Sequence, residues 1–173
     1  MADITLHPIA EADAAELLRF ELENRAFFEK SIAGFGDDYY NLKTVERITA
    51  ERVQEWEEGE SFYYLIRDAA GELVGRISLF GVRRRPAQLA EVGYRIAERH
   101  SGKGCATAAV GLVLQDAFSR HALHRVEAAT SPKNIGSQIV LLKNGFEFWG
   151  RARRSYLLNG VWEDTVMLER HAD

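Results

Sequence analysis

The chain has 173 residues, 46% hydrophobic and 28% charged, with 22 Lys+Arg against 26 Asp+Glu and a formal net charge of -4. That length fits one compact domain over 1–173, and the apolar share is enough for a core, which excludes wholesale disorder. The acidic balance argues against direct nucleic-acid binding. No apolar run approaches the roughly 18–20 residues of a membrane span, and a lone Cys105 excludes an internal disulfide or a cysteine-only metal cluster.

In chain order, Asp3 to Pro8 reads as a strand, and Glu11 to Asn24 places Ala14, Leu17, Leu18 and Leu22 at helical spacing. Thr44 to Glu58, with Thr44 as the expected N-cap, carries Val45, Ile48, Val53 and Trp56 as a second helix. The period then changes. Phe62 to Ile66, the turn Asp68 to Gly71, and Leu73 to Phe80 form a hairpin, and Ala87 to Ile96 is a further strand. Ser101-Gly102-Lys103-Gly104 opens a helix with an expected buried stripe of Ala106, Ala109, Val110, Val113, Leu114 and Ala117. Val126 to Ala129 is a strand, Asn134 to Lys143 a helix, and Asn144-Gly145 its stop. Phe146 to Trp149 and Val161 to Leu168 complete the chain as strands around Asn159-Gly160. The order βαα-βββ-α-β-α-ββ implies an α/β (α+β) domain, a mixed sheet flanked by helices. The amino terminus lacks the basic and apolar regions of a signal peptide, so a cytoplasmic location is expected.

The most informative segment is Arg99-His100-Ser101-Gly102-Lys103-Gly104-Cys105-Ala106-Thr107, between a strand and a helix. Free amides at a helix N-terminus carry partial positive charge and bind phosphate, and glycines let the backbone come close. No G-x-x-x-x-G-K-[ST] occurs, which rejects a P-loop, and Thr107 stands where a dinucleotide fingerprint needs glycine or alanine. An R-x-x-G-x-G pyrophosphate loop and an ordinary glycine-containing helix start remain.

Arg99-x-x-Gly102-x-Gly104 resembles the acetyl-CoA loop of the GNAT N-acetyltransferases. Glu91 to Ile96 resembles the strand before that loop, and Pro132-Lys133-Asn134 to Ser137 followed by Lys143-Asn144-Gly145-Phe146 resembles a later family segment. The closing Asn159 to Asp164 resembles the branch that acetylates N-terminal alanines of ribosomal proteins. The resemblance implies a mostly antiparallel sheet with a splayed parallel strand pair, ending at Ile96 and near Thr130, that binds acetyl-CoA as co-substrate without a metal. It implies that Ile96 and Ala97 pair with the pantetheine arm and that Arg99, His100, Gly102, Lys103, Gly104, Cys105 and Ala106 surround the pyrophosphate. Asn134 would hold the cofactor arm or cap its helix. A nicotinamide enzyme using Gly102 and Gly104 is the outside alternative.

The implied reaction is direct acetyl transfer to a primary amine, the favoured acceptor being a peptide or protein N-terminus. An α-amine with a pKa of about 8 costs little to deprotonate, whereas lysine at about 10.4 costs roughly 4–5 kcal/mol near pH 7. Glu91 is the expected base, through water, and Ser137 the group that polarises or protonates the leaving sulfur. The tyrosine that many members carry four residues beyond this serine is replaced by Leu141, leaving Tyr94 and Tyr156 as weaker substitutes. A small-molecule acetyltransferase and a non-catalytic acyl-CoA sensor are the alternatives, and a homodimer is compatible with the resemblance. Arg25, Phe27, Phe28, Phe35, Tyr39, Tyr40 and Trp162 are candidates for the acceptor side. The five histidines show no metal-ligand spacing, and His121 and His124 straddle an expected helix end, where cations offset the dipole.

Overall fold

A computed structural model describes residues 2–172. Seven strands form one sheet in the order β1-β2-β3-β4-β5-β7-β6. They are β1 (Ile4–Pro8), β2 (Phe62–Asp68), β3 (Leu73–Arg83), β4 (Leu89–Ile96), β5 (Arg125–Thr130), β6 (Glu147–Leu158) and β7 (Val161–His171). All neighbours are antiparallel except β4 and β5, which run parallel. This is the expected mixed, mostly antiparallel sheet. Helices α1 (Ala14–Phe28) and α2 (Leu42–Glu58) pack with one core cluster, and α3 (Cys105–Gln115) and α4 (Ile135–Lys143) with the other.

The parallel pair decides where a ligand can enter. Register links only Leu89↔Arg125, Ala90↔Val126 and Glu91↔Glu127. Beyond Glu91 the two strands splay, and the edge of β4 that faces β5 has no strand partner. An unpaired edge of this kind accepts an extended amide-bearing chain.

Several local expectations need correction. Helix α1 runs on to Phe28 and buries Leu17, Phe20, Glu21, Asn24 and Phe28, whereas Leu22 is exposed. The buried stripe is rotated because Glu21 and Asn24 face inward, which a hydrophobic pattern cannot register. The cap of α2 is Asn41, not Thr44: extended Asn41 accepts the Thr44 amide at 2.9 Å, making Thr44 the capped position. Ala106 is only half-buried, and Cys105 and Ala108 complete the α3 stripe in its place. Strand β6 extends to Leu158, well past Trp149, pairing with β7 along most of its length. Its basic residues obscure it: Asp164 accepts the Arg151 guanidinium at 2.8 Å and, across the irregular 153–155 stretch where Arg154 has φ +47°, the Arg154 amide at 2.9 Å.

His121 does not serve as a helix-end cation. It is buried, stacked on Phe62 with ring centroids 3.4 Å apart, and its Nε2 lies 2.9 Å from the Tyr64 hydroxyl, which itself donates to Asp116. Burial pushes its pKa down to about 4. The unfolded imidazole titrates near 6.5, so between those values the unfolded chain binds a proton that the folded one refuses. The stabilisation is full above about pH 6.5 and is lost as pH falls toward about 4. Between pH 7 and 5 the wild type should lose about 2 kcal/mol more than His121→Gln in urea unfolding. Parallel losses would overturn this assignment.

Candidate active site

A cleft of about 660 Å³ opens at the strand fork. It is lined by the end of α1, the splayed part of β4, the loop entering α3, the end of β5 and one side of α4. The loop is held from below: Asn24 donates to the Phe20 carbonyl at 2.8 Å and accepts the Glu98 amide at 2.9 Å.

Glycine makes the loop's shape. Gly102 and Gly104 have φ of +72° and +82°, and nothing lies within 4 Å of a Cβ built on either. The His100 and Ser101 amides are taken by Ala97 and Glu98 carbonyls, and the helix ladder opens with Ala108 bonding to Gly104. Among the described residues, no protein acceptor takes the amides of 102–107. These six donors at the start of an 11-residue helix form a cradle for a pyrophosphate-like anion.

Of the expected cofactor residues, Ile96, His100, Gly102, Gly104, Cys105, Ala106 and Asn134 line the cleft; Ala97, Arg99 and Lys103 do not. The Ala97 amide is committed to the Val74 carbonyl at 2.9 Å, and Ala97 is packed in the core. Arg99 turns away to Glu72 at 2.6 Å, and Lys103 is exposed. Asn134 is a helix cap whose Oδ1 accepts the Ser137 amide at 3.0 Å; its side-chain NH₂ has no protein acceptor among the described residues. Ser101, within the expected run of amides from His100 through Ala106, and Thr107, which lies beyond it, also line the cleft.

Ser137 lies in the cleft, and its Oγ is 2.9 Å from the Tyr94 hydroxyl. Desolvation raises the Tyr94 pKa, with the Ser137 bond pulling the other way, so the phenol keeps its proton at neutral pH. Leu141 is fully buried beside them. Tyr156 instead accepts the Ala33 amide at 2.6 Å and anchors the loop after α1 to the β6–β7 hairpin. Glu91 does not line the cleft; it occupies the last paired position before the fork, opposite Glu127. Cys105 is buried in the core without a hydrogen bond to His100.

One juxtaposition has no sequence signal. Asp68, Glu72 and His100 bring possible ligand atoms within 4.8 Å of one another. Asp68 Oδ1 accepts two turn amides and Glu72 Oε1 holds Arg99, so one oxygen of each carboxylate is committed to the fold.

Residues 3–147 match the Acetyltransferase (GNAT) domain family. The chain belongs to the GNAT acetyltransferase family. It is 40% identical over 166 residues to the Probable N-acetyltransferase YjcK of Bacillus subtilis (strain 168), covering 95% of this chain and 92% of that one. It is 26% identical to the [Ribosomal protein uS5]-alanine N-acetyltransferase of Escherichia coli (strain K12), over 92% of this chain and 82% of the relative. Among solved structures, Mycobacterium smegmatis RimJ in complex with CoA-disulfide superposes with a TM-score of 0.90 at 28% identity, covering 98% of this chain and 82% of that one. The fork, the amide cradle and the hydroxyl pair meet in one cleft of this domain. Among the described residues, no helix is long and apolar enough to cross a membrane.

Proposed function

We propose that this GNAT enzyme transfers an acetyl group from acetyl-CoA directly to a primary amine, favouring the N-terminal amine of a peptide or protein, in the cytoplasm. The observation that carries this is the union, in one cleft, of the unpartnered amides of 102 and 104–107 with the Tyr94–Ser137 hydroxyls beside an open strand edge. The cradle suits the diphosphate of acetyl-CoA and the open edge of β4 suits the amides of its pantetheine arm. The ribosomal-protein-alanine specificity in the name of the Escherichia coli relative supports an α-amine acceptor.

In this reading the amine nitrogen attacks the thioester carbonyl carbon and the carbon–sulfur bond breaks. The amine's proton leaves through water toward Glu91 at the fork, and the departing thiolate takes a proton from the Tyr94–Ser137 pair. An α-amine with a pKa of about 8 is about half deprotonated near pH 8, so a distant carboxylate acting through water suffices.

Thiol release from acetyl-CoA should follow addition of an alanine-initiated peptide and not of the same peptide already acetylated. Turnover of polyamines or aminoglycosides but not peptides would replace the acceptor, and cofactor binding without turnover of any amine would make the protein a sensor. Tyr94→Phe should lower kcat about 100-fold with KM unchanged, and Glu91→Gln should lower the rate mainly below about pH 8. An unchanged kcat or pH profile would remove the corresponding residue from the mechanism.

A further inference from the structure

The α1/α2 face of the sheet carries a concentration of positive charge that the fold does not neutralise. Arg76 of β3 and Arg95 of β4 stand directly opposite each other in register, an arrangement in which like charges repel. Both side chains are largely buried, 15% and 12% exposed, and one carboxylate serves the two: fully buried Glu21, 2.5 Å from Arg76 Nε and 3.0 Å from Arg95. Arg52 of α2 adds a third guanidinium. It sits over the Tyr63 ring at 5.0 Å and has no ion pair with any described residue. Burial, and then the Arg76 charge, push both Arg52 and Arg95 below the usual guanidinium range.

The surrounding groups do not supply the missing charge. Glu29 and Asp37 are both engaged by Arg25 at the outer rim, and Glu55 accepts the Tyr63 hydroxyl at 2.9 Å. The Tyr39 hydroxyl, close enough to act on the titration of Arg52 and Arg95, is buried without a hydrogen-bond partner. Phe35 stacks on the Tyr39 ring at 4.2 Å and lies 4.4 Å from the Arg95 guanidinium. The result is three partly buried cations on one buried anion, with a spare hydroxyl donor.

The cluster reaches the cleft through Arg95, which lines it beside Gly93, whereas Arg76, Arg52 and Tyr39 do not line it and act on a ligand through the charge they place behind Arg95. Glu91, Gly93 and Arg95 share one face of β4, since alternate residues of a strand point the same way. Gly93 carries no side chain, and the Phe80 ring closes over it on this face, 3.1 Å from where a Cβ would stand. Glu91 and Arg95 are separated by four residues, about 13 Å of strand. That spacing suits an acceptor whose amine lies at the fork and whose acidic side chain lies one or two residues further on.

We propose that Arg95, Arg76 and Arg52, with Tyr39, form an anion subsite that selects acceptors carrying a carboxylate close to the reactive amine, as in a peptide with Asp or Glu at its second or third position. This rests on the peptide-amine reading above and adds the chemistry of the residues behind the amine. Charge-assisted bonds to guanidinium are the strong ones, and the acceptor's carboxylate completes the neutralisation that Glu21 begins. Polyamines, which bring more positive charge, are disfavoured at the same place.

The test compares alanine-initiated tripeptides with Glu or Gln at position 2 or 3, alongside free glutamate and glutamine, by kcat/KM. The Glu peptides should exceed their Gln counterparts by about 10- to 100-fold. In Arg95→Gln that ratio should fall to near one. Arg95 touches Glu21, so Arg52→Gln, which breaks no ion pair, provides a second variant in which the ratio should fall at least several-fold; retained acetyl-CoA affinity reports that each variant is folded. Preference for free glutamate over the peptides would assign the subsite to an α-carboxylate-bearing amino acid, again through the same arginines. Equal rates for Glu and Gln peptides would overturn the subsite and leave the acetyltransferase reading standing. Titration calorimetry of the CoA-loaded protein with the same peptides needs no turnover. If no peptide is acetylated, tighter binding of the Glu peptide still upholds the subsite, and equal or absent binding overturns it.

Discussion

Replacing Gly104 by Asp should weaken acetyl-CoA binding by about 100-fold or more while leaving the protein folded. Gly104 is the N-cap of α3 at φ +82°, and a Cβ there meets nothing within 4 Å. Left-handed backbone costs an ordinary L-residue about 1–2 kcal/mol, and Asp tolerates it better than most. The loss of affinity therefore comes from the ligand side: a carboxylate is placed among the free amides of 102–107, where a diphosphate would otherwise accept their hydrogen bonds. Acetyl-pantetheine, which carries the thioester and the amide-bearing arm but no diphosphate, separates the two effects. Calorimetric titration should show the Asp variant losing affinity for acetyl-CoA but not for acetyl-pantetheine. Gly104→Ala, with the strain and not the charge, should lie between. Acetyl-CoA affinity within about threefold of wild type in Gly104→Asp would remove the loop from the cofactor site.

Much of this site is legible in the sequence because it is made of backbone. Two glycines on an otherwise ordinary helix start announce an amide cradle, and the residues that serve it need no particular side chain. The same fact explains the errors within the motif. Arg99 and Lys103 look like phosphate ligands because they are basic, yet one is held by Glu72 and the other is exposed. The Ala97 amide looks available until β3 is placed beside it and the Val74 carbonyl takes it. Side-chain pairs made across the fold are another matter. Tyr94 and Ser137 are 43 residues apart and meet only because α4 returns over β4. Nothing local to Glu21 shows that Arg76 and Arg95 are brought beside it by the β3–β4 register. The length of strand β6 is hidden for the same reason, the partner of its Arg151 being Asp164 on a strand that follows it.

The buried charge cluster also makes Glu21→Gln the most damaging neutral substitution expected outside the main hydrophobic contacts. Glutamine keeps the size of the side chain and one acceptor oxygen, but it turns an NH₂ toward a guanidinium and removes the negative charge that Arg76 and Arg95 share. Breaking a buried pair on one side typically costs about 3–5 kcal/mol, because the partner's charge stays buried and uncompensated. Urea unfolding should show that loss as a fall in midpoint at unchanged slope. Glu16→Gln is the control: Glu16 also accepts from an arginine, Arg67 at 2.6 Å, but both partners are more exposed, and a loss below about 1 kcal/mol is expected. Arg52 tests whether the excess is electrostatic. If the three guanidiniums repel one another, adding Arg52→Gln to Glu21→Gln should restore part of the lost stability, so that the two changes are not additive. A Glu21→Gln loss below about 1 kcal/mol would mean that water or an ion already screens the cluster. The arginines would then exert too weak a field to choose an acceptor, so this stability measurement bears on specificity before any acceptor is known.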